Sequence, residues 1–484
     1  MGLLSTTLLV LAGQLSAPPA AELADAVEHQ NAAAIQALLK TKDGINHPQP
    51  DGMTALHWAV HHDDLAISRA LIDAGANVNA ETHYQVAPLS LACRNGNGDI
   101  VRLLLDAGAN PNATLAGGET ALMTAARTGC TEAIEALIGK GADVNARERK
   151  SQTALMWAAA EGNADAVSAL LKAGADRSTR MASGFTAFLF AVREGRMQVV
   201  ERLLAAGIDP NELLQPDTSA GRPGKKMSAL LLAVENGHFE LAGKLLVAGA
   251  DPNAAPAGYT ALHAMTWVRK PIRGDGDPPP YGSGRLSSLE FVRKLISHGA
   301  NLDARLERGE SGRGRFTTTG STPFLLAARA SDVALMKLLI DLGANTELAN
   351  VDGCTPLLAA CGVGALGDGD EAAGTEAEAL EAVALLIQLG ADVNAVDKNG
   401  ETAMHGAAYQ DRPKIVSYLA QHGADIKVWH RDNKWGWTPM KIAEGYRPGN
   451  FRPAPDTIAA LRIVMIANGV TPQSTKTGAA AGDY

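Results

Sequence analysis

The sequence predicts an all-α solenoid of stacked helix-turn-helix units, each projecting a short β-hairpin or loop finger. Three observations predict it. The string DGMTALHWAVHHDDLAISRALIDAGANVNA at residues 51–80 returns as GETALMTAARTGCTEAIEALIGKGADVNA at residues 118–146. Sliding from Thr54, the same position recurs at Ala87, Thr120, Thr153, Thr186, Ser228, Thr260, Thr322, Thr355, Thr402 and Thr438, which makes eleven repeats. A fixed period of this length is the mark of repeat architectures. Finally, aromatics make up only 4% of the 484 residues while glycine numbers 50, a composition for helices packed closely on small side chains.

Each element of the repeat has a mechanical reason. The Asp-Gly before the recurring Thr (Asp51-Gly52, for example) makes a tight turn, because Gly takes backbone angles closed to other residues. The Thr hydroxyl caps the first helix, and the Pro or Ala after it suits the first helical position. Paired alanines at 125–126, 158–159 and 327–328 let neighbouring helices approach. A second helix carries paired apolar residues such as Leu104-Leu105 and Leu170-Leu171, and stops at Gly108, Gly174, Gly249 or Gly390. Gly is the residue best suited to the left-handed position after a helix. A unit this small cannot bury its apolar stripe alone, so the units must stack.

The regular steps are 33 residues; steps of 42, 62, 47 and 36 are the same unit with insertions. Residues 213–225 and 305–320 lengthen fingers, whereas 269–287 and 362–379 lie between the two helices of a repeat. The expected organisation is a leader at 1–20, one solenoid over 21–470 and a disordered tail at 471–484. Within the solenoid, a capping unit at 21–50 precedes the eleven repeats of 51–470, the last acting as a C-terminal cap. The apolar run at residues 3–13, too short to span a bilayer, followed by small residues and prolines, predicts export to the periplasm or medium. Cytoplasmic residence is the alternative.

These repeats resemble the ankyrin repeat. The resemblance is carried by TALH at 54–57 and 260–263, by TAMH at 402–405, and by the closing GADVNA at 141–146 and 390–395. It covers nearly the whole chain and implies a curved right-handed stack whose partners bind the finger tips and the exposed face of the first helices. In that register, repeats two to five carry Arg94, Arg127, Arg147, Arg149, Lys150, Arg180 and Arg193. Stacking is expected to align Arg127, Arg147, Arg180 and Arg193 as one basic strip. Toward the C-terminus the same positions carry Tyr409, Trp429, Trp435, Trp437 and Tyr446, an expected aromatic end. Arg and Trp are the side chains that dominate binding hot spots.

Charge and motifs exclude several classes. The net charge of −9 gives no argument for nucleic acid or membrane surfaces. Residues 81–202 balance thirteen basic against thirteen acidic side chains, so the arginines reflect segregation rather than excess. The four cysteines, Cys93, Cys130, Cys354 and Cys361, have neither metal spacing nor a disulfide framework, and read as small buried hydrophobes. HRD at 430–432 lacks the glycine loop, lysine and asparagine of a kinase, and GRPGKK at 221–226 lacks the P-loop spacing. HHDD at 61–64 holds metal-ligating types, but neighbours on a helix point about 100° apart, which suits chelation poorly. The sequence therefore predicts a monomeric, non-enzymatic scaffold without cofactor or metal, binding a protein partner that presents an acidic segment. The competing readings are a chaperone-like accessory to a co-exported enzyme, and an enzyme with its site on an inserted loop.

Overall fold

The computed structural model describes residues 21–42, 44–217, 226–271, 280–309, 315–365, 374–446 and 452–472. The expected leader, the tail beyond residue 472 and the middles of the four insertions lie outside the described residues. The chain divides into two compact units, Met1–Gly207 and Ile208–Tyr484.

The first unit holds a capping pair, Glu22–Glu28 and Ala32–Thr41, and then repeats one to five. Their first helices are Ala55–His61, Pro88–Asn95, Ala121–Thr128, Ala154–Glu161 and Ala187–Arg193. Their second helices are Leu65–Asp73, Gly98–Asp106, Thr131–Gly139, Ala164–Lys172 and Met197–Ala205. The second unit holds repeats six to eleven, from Ala229–Glu235 to the long closing helix Pro455–Ala467, with one extra turn, Ile426–Trp429, before the last repeat. Within each unit, first helices pack on first helices and second helices form a parallel layer beside them. The fingers are built mostly from turns. Among the described residues only β1 (Leu213–Leu214) and β2 (Met227–Ser228) pair as strands, at the neck of the finger inserted before repeat six.

The recurring position is the residue preceding the first helix in all eleven repeats, so the register holds throughout. In seven repeats its hydroxyl takes an orphan N–H, as when Thr120 accepts from Met123 at 3.2 Å. At Thr54, Thr260 and Thr402 the hydroxyl meets the Nδ1 of a histidine three residues on. Ala87 has no hydroxyl to offer, and Pro88 supplies a preset first helical residue instead. The alanine pairs are buried, as are Leu104 and Leu105; Leu170 is buried and Leu171 half-exposed. Cys93, Cys354 and Cys361 are buried and Cys130 is half-buried, all four as free thiols.

A second regularity ties repeat to repeat. Each second helix ends before a left-handed Gly, with φ of 92° at Gly108 and 86° at Gly174, and that Gly leaves a carbonyl without a helical partner. The Asn of the preceding repeat takes it. Asn79 donates Nδ2–H to the Gly108 carbonyl at 3.0 Å, while its Oδ1 accepts the Asn110 N–H at 2.8 Å. Asn112 repeats the bridge to Gly141 and Asp143 at 3.1 and 2.8 Å, and Asn145 to Gly174 and Asp176 at 3.2 and 2.7 Å. In the second unit Asn211, Asn253 and Asn394 do the same for Gly249, Gly299 and Gly423.

Two substitutions separate these contributions. Leu170→Ala should destabilise by about 2–5 kcal/mol through the cavity it leaves, and Asn112→Ala by about 1–3 kcal/mol through two exposed backbone groups losing their bridge. Urea titration followed by circular dichroism measures both. A silent Leu170→Ala would contradict its burial between repeats.

Candidate partner-binding surface

The first helix of each repeat begins at the finger and runs away from it, so its surface can be read by distance from the capping residue. Arg94, Arg127 and Arg193 stand seven residues after the cap, at the far end of the helix; Arg147 and Arg180 stand six residues before it, in the finger. A seven-residue helix is about 10 Å long. The structure therefore corrects the single strip into two rows.

The far row is built on rings. The Arg127 guanidinium lies 5.4 Å from the Trp157 ring centroid of the next repeat, and 3.5 Å from Glu119. The Arg193 guanidinium lies 4.8 Å from the Phe185 ring and 5.0 Å from Phe190, with Glu194 at 2.8 Å. Arg94 is exposed. The finger row is pinned instead to neighbouring fingers and its own turn: Arg147 donates to the Thr179 hydroxyl at 3.2 Å, and Arg180 to the Gly184 carbonyl at 2.7 Å. Arg149 and Lys150 are exposed at a finger tip, where the Arg149 N–H reaches the Gly117 carbonyl of the previous finger at 3.2 Å.

The residue just before the cap completes the far row, a partnership the sequence reading missed. Glu119 meets Arg127, Phe185 meets Arg193, and Tyr259 meets Trp267 edge-on at 5.0 Å, each pair spanning the same eight residues. That fixed spacing was the available signal. Tyr259 and Trp267 are half-exposed, with the Tyr259 hydroxyl bonded to Glu235 of the preceding repeat.

The aromatic end is largely core. Tyr409 is 0% exposed, Trp429 2% and Trp437 9%, so these three do not form an open surface. The reason is the 36-residue step between Thr402 and Thr438. Its extra residues build the Ile426–Trp429 turn, which buries Trp429, and a finger whose Asn433 closes over Tyr409. Tyr409 donates its hydroxyl hydrogen to Glu401 at 2.7 Å, and Asn433 donates to the same carboxyl oxygen at 3.1 Å. Burial pushes the Glu401 carboxyl up to about 7. Trp435 is half-buried, stacked 5.7 Å from Trp437, and Tyr446 is half-buried.

Of the HHDD side chains, exposed His61 contacts the Trp58 and His62 rings of its own repeat, and the other three are engaged between repeats or in a cap. His62 contacts the Glu28 carbonyl at 3.0 Å, Asp63 accepts from Asn97 at 2.9 Å, and Asp64 caps the second helix through the Ile67 N–H at 2.8 Å. Among the described residues no three His, Cys, Asp or Glu side chains are placed to hold a metal ion. In HRD, Asp432 pairs with Lys441 at 2.8 Å.

A family model described as "Ankyrin repeats (3 copies)" matches residues 23–115, 87–148, 122–213, 189–267 and 371–450. The chain belongs to the ankyrin-repeat family. Ankyrin-repeat proteins are in general non-enzymatic modules for protein–protein interaction. The chain is similar to the Dasypus novemcinctus protein "Ankyrin repeat, SAM and basic leucine zipper domain-containing protein 1", at 32% identity over 137 residues, 28% of this chain and 24% of that one. It is also 34% identical over 168 residues to the Homo sapiens "Neurogenic locus notch homolog protein 2", covering 31% of this chain and 6% of that protein. The matches thus span less than a quarter of the length of these relatives.

The histidines of TALH and TAMH have a structural task. His57 accepts the Thr54 N–H on Nδ1 at 3.1 Å and bonds through Nε2 to the Val86 carbonyl, just before the next cap, at 2.9 Å. His263 and His405 reach the Ser321 and Trp437 carbonyls in the same way, both at 3.2 Å. Burial holds each imidazole neutral and lowers His263 and His405 to about 4. Between that value and the unfolded value near 6.5 the unfolded chain binds more protons, so this contribution is complete above about 6.5 and is lost as pH falls toward 4. Glu401 acts oppositely: its raised folded value makes its contribution fade as pH climbs from about 4.5 to about 7. The wild-type profile is therefore flattened, and a difference isolates the histidine. Stability of His263→Gln subtracted from wild type should vary by about 1.4 kcal/mol per pH unit across that window, measured by urea melts between pH 4 and 7. A difference that does not change with pH would show that His263 is not held neutral.

Proposed function

We propose that the concave face of Met1–Gly207 binds a partner protein through an acidic segment of that partner, and that the chain works as a scaffold without catalysis of its own. The observation that carries this reading is the stacking of the Arg127 and Arg193 guanidiniums on Trp157, Phe185 and Phe190. A guanidinium held over a ring is restricted in orientation, and its fork of donors is the chemistry that matches a carboxylate. Less rotamer entropy is then lost when a carboxylate docks. Arg94 extends the row by one repeat, and Ala160 interrupts it at repeat four, where Trp157 supplies a ring. The finger arginines, Arg147 and Arg180, hold the fingers themselves through Thr179 and Gly184. Arg127 and Arg193 instead pair with the partly exposed carboxylates of Glu119 and Glu194, weak surface pairs that a partner's carboxylate can replace.

The test is titration calorimetry of a partner recovered by crosslinking and then purified. Arg127→Ala and Arg193→Ala should each weaken binding by about 1–3 kcal/mol, and added salt should weaken the wild type more than the double variant. Arg147→Ala and Arg180→Ala should change affinity less. Equal affinities for wild type and the Arg127/Arg193 double variant would remove this surface from consideration.

We propose also that the chain is exported, from the apolar run at residues 3–13. Fractionation with N-terminal sequencing should find a mature chain starting between residues 17 and 22. Intact Met1 or Gly2 on cytoplasmic protein would refute export.

A further inference from the structure

The second compact unit carries its own arginine at the far row, Arg329 in repeat eight, a residue the sequence reading passed over. It is already covered. The Phe316 ring lies with its centroid 4.4 Å from the Arg329 guanidinium carbon, and Phe316 is only 7% exposed although it sits in a Gly- and Arg-rich insertion. The Phe316 N–H donates to the Gly364 carbonyl of repeat nine at 2.9 Å. Asn350 donates Nδ2–H to the Thr317 carbonyl at 2.6 Å. Gly364 has φ +78°, and a Cβ there would stand 2.4 Å from the Phe316 nitrogen, so the close approach of the two backbones needs a glycine.

The two ends of the insertion serve the stack. Glu307 donates its N–H to the Gly258 carbonyl of the preceding finger at 2.8 Å, and the Thr319 carbonyl accepts the Val351 N–H of the following one at 3.2 Å; the Phe316 segment lies between these ends. The neck of the insertion is closed where Leu306 N–H meets the Ser321 carbonyl at 3.0 Å and Gly320 N–H meets the Leu306 carbonyl at 2.7 Å. The chain leaves the finger after Leu306 and re-enters at the same place. Among the described residues between these points, the Phe316 ring, the Phe316 N–H and the Thr317 carbonyl rest on Arg329, Gly364 and Asn350 of repeats eight and nine.

We propose that this surface is a docking groove for an extended partner segment bearing an aromatic side chain, and that the chain's own Phe316 segment occupies it as a displaceable stand-in. The proposal rests on the reading of concave faces as partner-binding surfaces, and supplies a partner chemistry for the second unit. The features that hold the stand-in define the ligand. Arg329 offers a cation to a ring face, Gly364 offers a carbonyl to the main-chain N–H of the aromatic residue, and Asn350 offers an amide to the main-chain carbonyl of the next residue. An aromatic residue in an extended peptide satisfies all three. A carboxylate satisfies only the first, which separates this groove from the acidic preference of the first unit.

The probe is a synthetic peptide of residues 315–321 with 4-fluorophenylalanine at the Phe316 position, followed by fluorine NMR. The protein is the full chain in which residues 308–318 are replaced by a short Gly-Ser turn across the closed neck, keeping Glu307 and Thr319 in place. The peptide should give a saturable shift with this variant and bind at least about tenfold more weakly to the intact chain. A peptide with Ala in place of the aromatic, and an Arg329→Ala version of the shortened chain, should each lose about tenfold. The intact chain with Phe316→Ala, which keeps the loop, should also accept the probe better than wild type, so the test survives if shortening impairs folding. Absence of a shift with both the shortened and the Phe316→Ala chains, or equal binding by intact and shortened chains, would overturn the proposal. So would indifference to loss of the aromatic ring. None of these variants touches Arg127 or Arg193, so failure here is distinguishable from failure of the first surface.

Discussion

The bridge from the closing Asn of one repeat to the terminal Gly of the next is the constraint on which the rest of the structure depends. A helix stopped by a left-handed residue leaves carbonyls that must find donors, and a finger turning sharply leaves N–H groups that must find acceptors. One carboxamide answers both needs across the seam. The bridge also explains why insertions are tolerated. In regular repeats the Asn and its Gly are 29 residues apart, yet Asn211 reaches Gly249 across 38 and Asn253 reaches Gly299 across 46. Extra chain is expelled to one side and the seam closes as before. Where the residue is not Asn the bond changes in kind. Asp303 accepts the Asn345 N–H but has no hydrogen to donate, and beside Ser178 it is Arg177 that reaches a neighbouring carbonyl, that of Ala206.

Because stacking rests on backbone bridges, caps and small side chains, the far end of each first helix is released from structural duty. The position seven after the cap holds Arg94, Arg127, Ala160, Arg193, Glu235, Trp267, Arg329, Gly362 and Tyr409 in different repeats, chemistry ranging from cation to anion to ring. Its partner just before the cap varies with it. The pair Glu119–Arg127 is ionic, Phe185–Arg193 is cation on ring, Tyr259–Trp267 is ring on ring, and Glu401–Tyr409 is a hydrogen bond. A surface that varies in pairs while the scaffold stays constant suits recognition of other proteins, where a few anchors carry most of the energy.

The fold was legible because its signals are local and repeated. Thr54 and its ten equivalents all fall before first helices; in all but Ala87 the signal is a hydroxyl in a turn followed by Ala or Pro and an apolar run, which has one good use. The surface was legible only in part. Arg127 and Arg193 were found by register, but their rings were not, because Trp157 belongs to the next repeat and Phe185 precedes the cap. Tyr409, Trp429 and Trp437 were misread for a physical reason. Register alone places them outward, whereas a step three residues longer than the regular one supplies chain to fold over them. The 36-residue spacing carried that information, had its surplus been treated as a cover rather than as a longer finger.

The same reasoning connects the buried cluster at Tyr409 with the seated Phe316. In both places surplus chain from a finger has folded over the far row. The consequences differ with what was covered. Over Tyr409 the cover closes a network in which Glu401 receives two hydrogen bonds on one oxygen, and Asn433 also accepts the Trp435 and Trp437 N–H groups at 3.0 and 3.1 Å. Removing that cover would expose a buried carboxyl and the finger of the last repeat together, so it is part of the core. Over Arg329 the cover is a single ring and a few main-chain bonds, with its neck closed independently at Leu306 and Ser321. Its departure would leave every cap and every Asn bridge in place. A segment attached in this way contributes little to the stack but has much control over the surface beneath it, and that asymmetry separates a replaceable occupant from a structural lid.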